Sequence, residues 1–143
     1  MSLGRVMPLL VLTGTIAVAA SEGPQTIAKV QNAVRTLLQR SELQATARQL
    51  QADADQGSKI PRPDRPAELA TYLRSTRTAE TDRDVTRDYW QHPLVLERDD
   101  PQTLLLLSLG ANGERDACVK TSETSAESDD ICEPVTVATA PRR

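Results

Sequence analysis

The stretch SLGANGERDACVKTSETSAESDDIC, residues 108–132, decides how the last third of this chain has to fold. It opens on a glycine-punctuated turn, Gly110-Ala111-Asn112-Gly113, and closes on the paired carboxylates Asp129 and Asp130. Both cysteines of the protein, Cys118 and Cys132, lie inside it. Seven acidic and two basic residues fall between Glu114 and Glu133, a local balance of −5. A segment this long and this charged cannot bury itself by hydrophobic means, so something else must hold it. The residues on hand offer a disulfide and a hard cation.

Upstream, Leu94-Val95-Leu96 and Leu104 to Leu109 are apolar runs separated by the turn signal Asp99-Asp100-Pro101. Their length and flanking turns predict an antiparallel hairpin, although leucine by itself favours helix. Downstream, Val135 to Thr139 alternates and is β-branched, which predicts an edge strand. Pro141-Arg142-Arg143 reads as a loose tail.

Before the hairpin the chain is helical. Pro24 suits a first-turn position, and Ile27, Val30, Val34, Leu37 and Leu38 recur at helical spacing, predicting a helix from about Pro24 to Ala54. That stripe predicts docking through the first half. Leu43, Ala47, Leu50 and Ala54 lie on another face and predict a more exposed or repacked second half. Gly57 is the expected stop. The proline-rich connector from Lys59 to Pro66 should run extended. A second helix is expected from about Pro66 to Ser75, facing inward through Leu69, Tyr72 and Leu73, with Thr76 to Arg87 as loop. Trp90 reads as a packing anchor between sheet and helix.

At 143 residues one main domain is expected, with a small aliphatic core, since aromatics are 2% and Phe is absent. A net charge of −3 argues against a nucleic-acid partner, which needs a basic surface. Arg5 precedes a fifteen-residue apolar run, Val6 to Ala20, short for a membrane span of about 20 residues. Together with Ala17-Val18-Ala19 it reads as a signal peptide, with an uncleaved membrane anchor as the competing reading. Either assignment gives residues 1–23 to targeting, leaves 24–143 as the folded domain, and exports it. An exported chain with two cysteines predicts a Cys118–Cys132 disulfide, closing a loop of about 15 residues and stabilising by about 3 kcal/mol through chain entropy.

No catalytic constellation emerges. His92, the one histidine, sits between Gln91 and Pro93 and reads as a turn or surface residue. The hydroxyls between Thr121 and Ser128 have no identifiable base to activate them. The expectation is a non-enzymatic protein.

The order of these pieces resembles the major pseudopilin of type II secretion systems, the GspG-like proteins, over roughly residues 24 to 133. Gly57-Ser58-Lys59-Ile60-Pro61 is similar to that family's Gly-Arg-Tyr-Pro exit from its long helix. Asp88-Tyr89-Trp90-Gln91-His92-Pro93-Leu94 is similar to its Asp-Pro-Trp-Gly-Asn-Pro-Tyr segment, with Gln91 and His92 standing where the family has Gly and Asn. Ser108-Leu109-Gly110-Ala111-Asn112-Gly113 resembles its Ser-x-Gly-Ala/Pro-Asp-Gly turn, and Asp129-Asp130-Ile131 its Asp-Asp-Ile.

The resemblance implies an α+β fold, a long N-terminal helix packed on a small antiparallel sheet with a C-terminal calcium-type loop. It implies a structural subunit of a short periplasmic filament, partnered by other pseudopilin subunits or secretion-apparatus proteins at the inner membrane. It also implies Ca²⁺ ligation by Asp129 and Asp130, with the backbone near Leu109 and the Asn112 side chain as further oxygen donors, which suits an ion that takes six to eight oxygens. A solvated acidic loop is the competing reading of the two aspartates. The chain departs from the family at its start, where Gly4 is followed by Arg5-Val6-Met7-Pro8-Leu9 and no acidic residue precedes Glu22. Its loop is also longer than the family's and carries the cysteines. A soluble periplasmic or secreted binding module that uses the same fold without building a filament is therefore the alternative.

Overall fold

A computed structural model describes residues 23–77, 82–120 and 129–137. Of the targeting segment expected over residues 1–23, all but Gly23 lies outside them, as does the tail at 141–143. The elements are α1 (Pro24–Asp55), α2 (Pro66–Thr76), β1 (Val95–Asp100), β2 (Thr103–Ser108), β3 (Val119–Lys120) and β4 (Ile131–Thr136). Among the described residues no helix is long and apolar enough to cross a membrane. The chain divides into two compact units at Arg35/Thr36, within α1. The described part of the first unit, residues 23–35, is the opening of that helix.

The second unit is α+β. Its sheet order is β1-β2-β4-β3, the first three strands antiparallel and the two-residue β3 added in parallel to β4. β1 and β2 form the expected hairpin, closed by Pro101-Gln102, with Asp100 Oδ1 accepting the Gln102 N–H at 2.7 Å. β2 lies between β1 and β4 and is covered on both faces. That is why it can be four consecutive leucines, Leu104 to Leu107, all buried. The last strand differs from the expected edge strand. It begins at Ile131, ends at Thr136 and lies between β2 and β3, because Ile131-Cys132 pairs with both neighbours.

α1 ends as predicted. Gly57 takes φ +71°, the Ser58 N–H reaches the Asp53 carbonyl at 2.8 Å, and the Gly57 N–H reaches that of Ala54 at 3.0 Å. This paired closure needs a left-handed residue at Gly57, which glycine adopts without a Cβ penalty. The docking face of α1 is the reverse of the expected one. Leu37 is 66% exposed and Ile27, Val34 and Leu38 are also exposed, whereas Gln39, Glu42, Leu43, Thr46, Ala47 and Leu50 are buried. The buried residues keep helical spacing, but half of them are polar, so the true contact stripe is masked in hydropathy. Most of their polar atoms are paired: Gln39 Oε1 accepts the Tyr89 N–H at 3.0 Å, Thr46 Oγ1 donates to the Glu42 carbonyl at 2.9 Å, and Glu42 pairs with Arg77 and Arg83.

The main core lies between the helices and one sheet face. Leu43 and Leu50 of α1, Leu69 and Leu73 of α2, and Leu96, Leu104, Leu106, Ile131 and Val135 of the sheet build it. Trp90 packs against it, as expected. Each of these leucines contributes on the order of 1.5–3 kcal/mol through burial. Tyr72 Oη donates to Asp53 Oδ2 at 2.7 Å and ties α2 to α1. A second, smaller cluster of Leu105, Leu107 and Cys132 occupies the opposite sheet face, with Val95 and Cys118 against it.

Candidate functional site

Three separate segments meet at the end of the sheet where β2 stops and β4 starts. The first is the turn 88–93. Asp88 is fully buried, and its Oδ1 accepts the N–H groups of Trp90 at 2.9 Å and His92 at 2.8 Å. The Asp88 N–H donates to the His92 carbonyl at 2.8 Å, closing the turn on itself. Inside it Gln91 has φ +72°, a left-handed conformation that costs a side chain of this kind roughly 1–2 kcal/mol.

The second segment begins at Ser108, the last residue of β2. Its buried Oγ donates to Asp88 Oδ2 at 2.8 Å, and His92 Nδ1 lies 2.8 Å from the Gly110 carbonyl. Ser108, Asp88 and His92 are thus neighbours, but the hydroxyl is spent on the carboxylate and not on the imidazole. A nucleophile needs its base on the hydroxyl, so this trio fastens two turns together. Gly113 lies against the His92 ring, where an added Cβ would stand 2.6 Å from Nε2.

The third segment is Asp129-Asp130. Gly110, at φ +62°, passes so close to Asp129 that a Cβ would lie 2.7 Å from the Asp129 carbonyl carbon. The Asn112 N–H donates to Asp129 Oδ2 at 2.8 Å. The Asp116 N–H donates to Asp130 Oδ2 at 2.8 Å, and Arg115 reaches the same oxygen at 3.0 Å. Arg115 also forks onto Glu97 of β1, with its Nη2 3.0 Å from Oε2. Burial pushes the Asp130 carboxyl above the usual aspartate range, and the Asp116 N–H and Arg115 only partly offset that.

Carboxylate oxygens of Asp116, Asp129 and Asp130 lie within 4.8 Å of one another. This is an all-oxygen donor set of the kind hard cations take. Asp129 and Asp130, expected as ligands, are therefore together, and they are joined by Asp116, which sequence reasoning passed over. A signal for Asp116 existed: it stands two residues before Cys118, as Asp130 stands two before Cys132, so a Cys118–Cys132 bond draws them together. Asn112, expected as an oxygen donor, points its Nδ2 at Asp116 Oδ2 (2.8 Å) while its Oδ1 accepts the Glu114 N–H (2.7 Å). Leu109 is half-buried and leads directly into Gly110. The disulfide between Cys118 and Cys132 is formed, spanning Cα atoms 5.9 Å apart.

Comparison of the chain with protein-family models, with curated proteins and with solved structures returns no match.

Proposed function

We propose that this chain is an exported, non-enzymatic structural subunit resembling the type II secretion pseudopilin, with a cation-binding, disulfide-braced loop at its C-terminal end. The observation that carries this reading is the meeting of the pseudopilin-like segments 88–93, 108–113 and 129–131 through Asp88–Ser108, His92–Gly110 and Asn112–Asp129. Motifs that resemble a family only by chance have no reason to converge at one place in the fold. The backbone adds a second support. Gln91 holds a left-handed conformation at the position where the family has glycine, the residue that adopts it freely.

In this reading residues 1–23 address the chain to the inner membrane and the folded part lies in the periplasm. Asp129 and Asp130, with Asp116, would hold Ca²⁺, whose contribution is to neutralise the carboxylates that close the loop onto the end of the sheet. Asn112 steadies two of the three, Asp129 through its N–H and Asp116 through its side-chain amide. The exposed apolar positions of α1, Leu37 and Leu38 among them, give the subunit a helix face suited to neighbouring subunits or apparatus proteins.

A photo-crosslinking residue at Leu37 in the full chain, expressed in a cell with a periplasm, tests this. A membrane-associated ladder of multimers is the expected outcome. A soluble monomer cleaved after Ala19 would instead establish the alternative, a periplasmic or secreted binding module with this fold. That alternative draws on the Ala17-Val18-Ala19 pattern and on the unusual residues Arg5 to Leu9.

A further inference from the structure

Among the described residues, those from 109 to 118 that follow β2 build no part of the main core. Its buried members come from α1, α2, β1, β2, β4 and the residue before β1, and none from residues 109–118. Yet this stretch crosses the opposite sheet face. Its Cys118 packs on Leu105 and Leu107, and its Arg115 reaches across to Glu97 of β1. Strand register explains what lies beneath. Val95, Leu107 and Cys132 are directly opposite one another on β1, β2 and β4 and so share a face, with Leu105 one step along. The second cluster is therefore a narrow apolar row capped by a strap.

We propose that residues 109–120 form a redox-operated strap, which the Cys118–Cys132 bond locks over this row and whose reduction uncovers Val95, Leu105 and Leu107 while the main core stays folded. Among the described residues, the other ties of the strap are a two-residue parallel strand, the His92 ring on the Gly110 carbonyl, the Asp116 N–H on Asp130, the Asn112 N–H on Asp129, and Arg115 on Asp130 and on Glu97, each individually modest beside a covalent bond. The Arg115–Glu97 pair is solvent-accessible on both sides, and such pairs hold weakly.

The two sulfurs are not equivalent. Cys132 is fully buried in β4, whereas Cys118 is half-buried. A dithiol reductant therefore attacks Cys118 Sγ. Its thiolate forms a mixed disulfide there, and Cys132 Sγ leaves with the electron pair of the broken bond and takes up a proton. The second thiol of the reductant, as its thiolate, then closes on its partner sulfur and releases Cys118 as a thiolate, which is protonated. In sum the protein disulfide becomes two thiols and the dithiol becomes a disulfide. An oxidising compartment seals the face and a reducing one opens it, whether or not the chain belongs in a secretion apparatus.

The test compares the full chain before and after reduction with a dithiol at neutral pH and alkylation of both thiols. Amide exchange, binding of an apolar-surface dye and far-ultraviolet circular dichroism are followed together, with Cys118→Ser as an independent route to the unlocked state. The expected result is exchange about tenfold or more faster at Ile131 and Cys132, increased dye fluorescence, and retained helical signal. Loss of the helical signal on reduction, with Cys118→Ser behaving alike, would show one cooperative unit and overturn the strap. Unchanged exchange and dye binding in the reduced chain would overturn it equally.

Discussion

Glu42 is a buried carboxylate in the middle of α1, held by Arg77 at the end of α2 and by Arg83 from the following loop. Its side chain is 5% exposed, against 26% and 20% for the two arginines, so the cost of desolvation falls mainly on the acid. This asymmetry predicts a change of sign. In the native background Glu42→Gln removes the charge that two arginines face. It should cost about 2 kcal/mol, the scale of hydrogen bonds to charged groups. In an Arg77→Ala/Arg83→Ala background the carboxylate is stranded, a loss of about 3–5 kcal/mol. There Glu42→Gln should restore about 1–2 kcal/mol, because a buried amide costs less than a buried charge. Of the single arginine changes, Arg83→Ala should be the more damaging. Its guanidinium also stacks 4.2 Å from the Tyr89 ring and donates to the Arg87 carbonyl at 2.7 Å. Urea unfolding followed by circular dichroism, with an unchanged m value across the set, gives the cycle directly. If Glu42→Gln destabilises both backgrounds by the same amount, the carboxylate is not stranded by loss of the arginines and the reasoning fails.

Gln91→Gly should be neutral or stabilising by up to about 1 kcal/mol, opposite to the usual effect of glycine, because φ is +72° there; clear destabilisation in urea would count against the left-handed turn. Gly110→Ala should cost about 2 kcal/mol or more, since the new Cβ meets the Asp129 backbone at a positive φ, and thermal unfolding of the purified variant measures it. Arg62 at its side chain and backbone holds Glu68 down to about 2, so its contribution is present above the ordinary glutamate range and is lost as pH falls through about 2. The difference between the native chain and Glu68→Gln in a pH series should accordingly be present at neutral pH and vanish at the acid end. Calcium should raise the melting temperature in the manner of a ligand that binds only the folded state, and EGTA should reverse it. Equal melting temperatures with calcium and with EGTA, for the native chain and for Asp129→Ala/Asp130→Ala alike, would remove the cation from the reading.

The helices, the Gly57 stop and the β1–β2 hairpin were legible because each rests on local chemistry: a proline at a helix start, a glycine that accepts positive φ, a turn between apolar runs. The docking face of α1 was not, because Gln39, Glu42 and Thr46 occupy it, and the partners that make Gln39 and Glu42 tolerable there lie far away in sequence. Ile27, Val34, Leu37 and Leu38 gave the cleaner amphipathic pattern and misled, since periodicity reports an apolar stripe and not what covers it. At the site, Asp129 and Asp130 stood out as adjacent carboxylates, while Asp116 needed the disulfide before it could be placed beside them. The buried Asp88–Ser108 bond joins residues twenty apart in sequence and becomes visible only when β1 and β2 are folded back on each other.

The absence of the 109–118 side chains from the main core has a consequence for how this chain can change over time. Lengthening a flexible connection costs little, about 0.6 kcal/mol for each doubling. A residue added beside Asp116, within 109–118, would displace no member of the main core. Selection on the scaffold and selection on the strap therefore act on separate sets of positions. The same body can be inherited almost unaltered while the segment across its outer face is rewritten for a different compartment or neighbour.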